Sequence, residues 1–409
     1  MSLGLTECTD GFEILNPAIS YIVLLQVTVI MHLRFMRTNN MKITDVTVTM
    51  WEWKDVPATR YTRTVITSSR RSVQMGLLRI KTDEGIEGNA FIGSAFGSAV
   101  EDGPFIIKVI KPALVGQDPF NREQIWQRNM QRLRTKLNLV GAVDVALWDL
   151  AGKATDLPVH KLLGSFREKI PAYASSAVLE SPAHYAEEAV KYKENGWAAY
   201  KIHPPGIAVE DIRICEAVRR AVGDDYRIML DSTWAYDYPD ALRVGVAIQD
   251  MGFYWYEDPL AYDDIYSYIK LKKLLHIPIM ATELPAAGPI SYAPWIMEQA
   301  TDYLRGDVWL KGGITSCMKT AHVAETFQMN YEVHHGSNSL NNIANLHMIM
   351  AMKNTQFLEV LLPDEAQKHA VLNEIEMDED GYAHAYNEPG LGVHVDFELI
   401  KRNKIAELS

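Results

Sequence analysis

Three carboxylates recur at a fixed interval in this chain of 409 residues: Asp231 ends the run RIMLD, Glu257 ends FYWYE and Glu283 ends IMATE. The steps from 231 to 257 and from 257 to 283 are both 26 residues, one strand-and-helix period. Each apolar run ahead of an acid reads as a short buried strand. Parallel barrel strands end on one face, so consecutive strands aim the three acids at one point. Converging carboxylates raise one another's pKa in a low-dielectric pocket, and a divalent cation is the natural way to keep all three ionised. An all-oxygen donor set favours magnesium, so Mg2+ is the expected cofactor. Acids that only capped helices would have no reason to keep this register.

Bases flank that point. Lys201 and His203 end AAYKIH, and residues two apart on a strand share a face. Asp307 ends YLRGD and His334 follows YEV, so neighbouring strand ends can set a carboxylate against an imidazole, fixing its tautomer and raising its basicity. A nearby cation is expected to lower the Lys201 pKa, making it a base or a polarising partner for His203. Glu359, ending QFLE, is expected to donate a hydrogen bond to a substrate carboxylate while protonated. A metal between two base sites suits removal of a weakly acidic proton beside a carboxylate, with the metal stabilising the enediolate. His322 and His347 fall on helical patterns with apolar neighbours and are assigned to packing or surface.

Positioning these groups takes eight strands. Beyond Gly164, short apolar strands alternate with amphipathic helices, near 171–176, 197–203, 226–231, 253–257, 278–283, 303–308, 330–334 and 356–360. An open doubly wound sheet would give the same alternation, but no GxGxxG follows any strand, so a barrel is expected and a dinucleotide cofactor is not. Ahead of it, Ile43 to Trp53 alternates and Met75 to Ile92 reads as two strands about the turn Thr82-Asp83-Glu84-Gly85. Helical patterns near 99–115, 120–135 and 139–155 complete an α+β unit. The expected layout is an extension over 1–40, an α+β capping unit over 41–165, the barrel over 166–385 and a segment over 386–409 returning to the cap.

Composition narrows the function. A formal charge of -12 without a basic stripe excludes a nucleic-acid role. Forty-eight per cent hydrophobic and 22% charged residues fit an ordered globular body. The 3 cysteines include no CxxC, which excludes a zinc ribbon or disulfide scaffold and points to a reducing cytoplasm. The apolar run Ala18 to Leu33 contains Gln26, Thr28 and His32, and no basic region precedes it. It is read as part of an extension and not as a membrane span or a secretion signal.

Lys201-Ile-His203, Asp231, Glu257-Asp258-Pro259, Glu283, DVWLKGG from Asp307 to Gly313, His334, Glu359 and VDVALWDLAGKATDLPVHKLLG from Val143 to Gly164 resemble the enolase superfamily, mandelate racemase subgroup, over essentially all of 41–400. The resemblance implies a modified (β/α)7β TIM-type barrel under an N-terminal cap, in a homo-oligomer of two to eight copies. It implies a small-molecule carboxylate substrate. Similar muconate lactonising enzymes carry lysine where this chain has Asp307; the racemase type pairs an aspartate there with a histidine 27 residues on, here His334. His335 is the alternative partner if a bulge reverses the faces. His203 replaces the second lysine of the common motif, and Lys311 stands where arginine is frequent.

The reaction so implied is dehydration of a sugar acid to a 2-keto-3-deoxy acid, with Lys201 and either His203 or His334 as base and the other flank as acid. Racemisation or epimerisation of a 2-hydroxy acid, and opening of a sugar-acid lactone, are the alternatives. A barrel kept only for binding would have lost a ligand position. Expected substrate contacts are Trp51, Arg60, Tyr61 and His335, with Trp53 and Arg63 beside them, the arginines favouring an acidic polyol.

Overall fold

The structure is a computed structural model and describes residues 41–62, 72–284 and 288–409. The Ala18 to Leu33 run and Arg63 lie outside the described residues. Lys42–Ser409 form one compact unit. Among the described residues no helix is long and apolar enough to cross a membrane.

The alternating N-terminal runs form an antiparallel sheet of β1 (Ile43–Lys54), β2 (Ser72–Thr82) and β3 (Glu87–Ile92). Gly85 turns β2 into β3 at φ 72°, a conformation that costs glycine little. The C-terminal strand Lys404–Leu408 pairs antiparallel with β1 and completes the sheet. The helix expected near 99–115 is interrupted: Asp102–Phe105 and Lys111–Leu114 are joined by a π-helical turn, Ile106–Ile110. Pro112 has no N–H to give the preceding turn, so the regular ladder cannot continue there.

Helix Leu137–Thr155 joins the sheet to the barrel through two buried acids of the VDVALWDLAGK run. Asp144 accepts the Thr315 N–H at 2.8 Å and its hydroxyl at 2.7 Å, capping the barrel helix Ile314–Thr326. Burial lifts the Asp144 pKa to about 6, although Thr315 and Arg122 oppose it. Asp149 accepts N–H groups from Asn89 at 2.8 Å and Leu391 at 2.9 Å. Gly141 permits the close approach, since a Cβ there would lie 2.2 Å from the Val308 carbonyl oxygen.

Eight parallel strands follow: β4 (Lys169–Ser175), β5 (Ala199–Ile202), β6 (Arg227–Asp231), β7 (Trp255–Glu257), β8 (Ile279–Ala281), β9 (Tyr303–Gly306), β10 (Asn330–Val333) and β11 (Leu358–Leu361). Each coincides with an expected strand. They pair in the order β10-β9-β8-β7-β6-β5-β4-β11, a nearly closed barrel. Helices begin where the sequence offers caps. Ser181 accepts the His184 N–H ahead of Pro182–Glu194, whose first residue is proline.

Alternation along the strands divides the barrel interior into two layers. Tyr173, Ala199, Met229, Trp255, Met280 and Phe357 form a buried, largely apolar lower layer, with Tyr303 packed against it. Two residues further along β5, β6, β7, β9 and β11 stand Lys201, Asp231, Glu257, Arg305 and Glu359, all buried. A charged ring thus sits one step above an aromatic floor, at the ends where side chains from different strands converge.

Candidate active site

Asp231, Glu257 and Glu283 meet as the period of 26 implies: each offers an oxygen, and these atoms lie within 4.8 Å of one another. Asp231 and Glu257 are the last residues of β6 and β7, whereas β8 ends at Ala281 and Glu283 follows Thr282, held at φ 86°. That left-handed turn carries the third acid past the strand end, and it remains the least buried of the three.

Lys201 and Arg305 thread between the acids. The Lys201 ammonium is 3.0 Å from Asp231 Oδ2, 3.1 Å from Glu257 Oε2 and 2.7 Å from Glu359 Oε1. Arg305 Nε lies 2.5 Å from Glu257 Oε1 and 3.7 Å from Glu283 Oε2, while its Nη2 pairs with Glu359. Both cations are 0% exposed. Burial and Arg305 push the Lys201 pKa down, but Asp231, Glu257 and Glu359 outweigh them and hold it well above the ordinary value. The chain's own carboxylates thus raise the Lys201 pKa, against the lowering expected from a cation at the triad.

The expectation for Glu359 is corrected. It does not end its strand, which runs on to Leu361, so it belongs to the charged ring beside Arg305 and Lys201. Burial would raise its pKa, yet these two cations hold it well below the carboxylate range. As placed it accepts hydrogen bonds, including the His335 N–H at 3.1 Å, and is not the protonated donor expected.

The two imidazoles differ. His203 Nδ1 is 2.8 Å from the Ser176 carbonyl oxygen and its Nε2 is 3.0 Å from Asp231 Oδ2. Both nitrogens face acceptors, so in this position the ring donates. His334 Nδ1 is bonded to Asp307 Oδ2, and its Nε2 stands 3.7 Å from Glu283 Oε1 with the side chain 17% exposed. Asp307 is fixed in turn by N–H groups of Trp309 and Leu310, both at 2.7 Å from Oδ1. Burial lowers the His334 pKa, but Glu283 and the Asp307 hydrogen bond raise it to about 9. The aspartate thus meets His334, not His335, whose ring is buried with its pKa pushed down to about 3 by desolvation.

Cap residues divide. The Tyr61 ring packs edge-on to His203 at 5.4 Å and to Phe96 at 5.8 Å, and its hydroxyl donates to the Leu362 carbonyl at 2.7 Å. It roofs one flank. Trp51 does not reach the mouth: it is 0% exposed, packed on Phe91 at 5.2 Å and over His369 at 6.5 Å, and Trp53 stacks on His369 at 4.5 Å. Their positions in β1 turn them into the cap core. Arg60 gives its carbonyl to the Val178 N–H at 2.7 Å and lines an outer cleft of about 630 Å³ with Glu180 and His184. His347 packs, as assigned, and His322 is exposed.

Two buried ionisable residues were given no role of their own by the sequence. Arg305 lies two residues before Asp307, so strand alternation alone points it inward. Asp258 follows Glu257, and burial together with Glu283, Asp231 and Glu257 raises its pKa well above normal. Nothing in its spacing separates it from an ordinary turn acid. Lys311 is buried, and its pKa falls to about 8 through desolvation, against the pull of Asp307.

The donor set fits a divalent cation by charge. With all four ionised, Asp231, Glu257, Glu283 and Glu359 would carry four negative charges against two on Lys201 and Arg305, a deficit that one divalent ion fills. Burial pushes Glu257 up to about 8, Asp231 adding to the rise and Arg305 opposing it, so this oxygen cluster does not hold all its charge unaided.

The family model for the mandelate racemase / muconate lactonizing enzyme N-terminal domain matches residues 44–164, and the enolase C-terminal domain-like model matches 184–399. The chain belongs to this family of the enolase superfamily. Arabinonate dehydratase of Saccharolobus solfataricus is 27% identical over 303 residues, covering 70% of this chain and 79% of that protein. D-galactarolactone cycloisomerase of Agrobacterium fabrum is 28% identical over 261 residues, covering 61% and 67%. The crystal structure of D-glucarate dehydratase from Agrobacterium tumefaciens, complexed with magnesium, matches at a TM-score of 0.79 and 32% identity, covering 90% of this chain and 100% of that one. Its magnesium agrees with the hard, all-oxygen character of the triad here.

Proposed function

We propose that this protein is a magnesium-dependent hydro-lyase that dehydrates a sugar acid to a 2-keto-3-deoxy acid. The carrying observation is the acid triad flanked by two imidazoles with unlike partners, in a family whose relatives include sugar-acid dehydratases. Asp231, Glu257 and Glu283 would hold Mg2+, which supplies positive charge to the substrate carboxylate as the α-carbon loses its proton.

His334 Nε2 takes that proton in its neutral form, which is favoured once the charge of Glu283, the main group raising its pKa, is engaged by the ion. Asp307, on the opposite ring nitrogen, fixes the tautomer that leaves Nε2 its lone pair and stabilises the imidazolium that forms. His203 gives its Nε2 proton to the departing β-hydroxyl, which leaves as water, while the Ser176 carbonyl keeps the Nδ1 proton in place. Lys201 and Arg305 hold the carboxylates apart, and Tyr61 shields His203 from solvent. This assigns Lys201 a positioning role and gives the base to His334.

Incubating a sugar-acid library with the protein and magnesium should yield 2-keto-3-deoxy product from at least one acid; no product from any acid would sink the proposal. The cycloisomerase relative favours one other reading, opening of a sugar-acid lactone at the same site, which would appear as lactone consumption without loss of water. Buried free Cys215 and Cys317 support a reducing cytoplasm, and we infer a homo-oligomer of two to eight copies.

A further inference from the structure

Beside the charged ring, between the loop after β10 and the end of β11, lies a cavity of about 30 Å³. Besides Lys368, which is paired with Asp364 and Glu376, its polar lining comes from His335, Asn342, Glu359, Asp364, Gln367 and Glu374. Four of these are occupied. Asn342 Oδ1 accepts the Gly336 N–H at 3.3 Å, Glu374 accepts the Ser339 hydroxyl at 2.6 Å, Asp364 pairs with Lys368 at 2.6 Å, and Glu359 is bound to Arg305 and Lys201.

The other two are not. Gln367 is 3% exposed with neither amide atom in a hydrogen bond of good geometry, the Tyr61 hydroxyl being the protein group within reach of it, and His335 is 4% exposed with Nε2 likewise unsatisfied. Buried polar atoms seldom stay unpartnered, because each forfeits the hydration it had in the unfolded chain. Three such atoms on one small cavity call for a polar guest. The volume is ample for one water or one hydroxyl. The chemistry matches a hydroxyl, since the glutamine amide offers both a donor and an acceptor, and a hydroxyl answers both. Position matches too. Gln367 stands beside the Tyr61 hydroxyl, which spends its proton on Leu362, and Tyr61 roofs His203.

We propose that this cavity is a hydroxyl-binding subsite in which Gln367 and His335 Nε2 hold a distal hydroxyl of the substrate, or a water in its place. The substrate half of the proposal rests on the sugar-acid reading above; the water half does not.

The test uses the full chain with magnesium, titrated by calorimetry with D-gluconate and with D-glycerate, which lacks the distal hydroxyls. Gln367→Met keeps the side-chain length and removes both polar atoms. If a substrate hydroxyl fills the cavity, this variant weakens D-gluconate about ten-fold, the loss of one good hydrogen bond, and leaves D-glycerate unchanged. If water fills it, both acids bind as in the wild type and the variant melts about 2–4 °C lower, because a satisfied network has lost a member. His335→Phe is the second variant and should follow the same pattern. Unchanged binding of both acids, with melting at or above the wild-type temperature in both variants, overturns the subsite. Should the wild type bind neither acid, melting alone decides: lower supports the water-holding subsite, equal or higher overturns it. Absence of product from every sugar acid overturns the dehydratase reading and leaves the melting test standing.

Discussion

The two flanks of the acid triad carry the same side chain in opposite surroundings. His203 is clamped between a backbone carbonyl and a metal-ligand candidate, with acceptors at both nitrogens, whereas His334 has a carboxylate behind it and its other nitrogen turned to the mouth. In the proposed reaction, hydrogen-bond partners and not residue type would make one imidazole the proton donor and the other the base.

His334→Gln should break that comparison most, lowering exchange of the substrate α-proton in deuterated water about 10³–10⁴-fold, the range of a lost general base. Proton NMR of the recovered acid reads it, and retained exchange would return the base to Lys201. Asp307→Asn keeps the shape but no longer favours the tautomer, so a loss of about 10²–10³-fold is expected in the same assay. His203→Gln should slow formation of the keto acid about 10–10²-fold while α-proton exchange continues. Loss of both activities together would make the flanks equivalent.

His347 supplies a control without a catalytic role, and the smallest effect. Its Nδ1 accepts the His160 N–H at 3.1 Å and its Nε2 donates to the Leu391 carbonyl at 3.0 Å, an arrangement only the neutral ring can make. Burial depresses its pKa to about 4 from the ordinary 6.5. The depressed value means full stability above pH 6.5 and a loss that grows as pH falls toward 4, reaching about 3 kcal/mol below it. Urea unfolding at pH 7 and pH 5 should show the slope, and His347→Gln should flatten it. A slope that survives the substitution would assign it to other groups.

Much of the site was legible because it lies on strands. Side chains alternate with period two, and strand ends gather at one face, so Asp231, Glu257, Glu283, Asp307 and His334 could be brought together by counting residues. Arg305 obeys the same rule and was readable in YLRGD, but a lone inward arginine carries no motif. The errors fall where a third element decides. Glu359 was read as a neutral donor because its strand seemed to end there, and two cations from β5 and β9 turn it into an acceptor. Trp51 sits on an alternating strand whose two faces look alike in sequence, and His369, far along the chain, claims its ring for the cap core.

By itself, then, the sequence determined the eight barrel strands, the register of three acids and the pairing of Asp307 with a histidine just past β10, since all of these follow from local periodicity. Tertiary structure alone decided charge and access: which carboxylates face cations, which imidazole pairs with carboxylates on both sides and which with a backbone carbonyl, and which aromatic roofs the mouth. Those properties depend on partners from distant segments at distances of about 3 Å, where Coulomb energy and desolvation vary steeply and no spacing rule reaches.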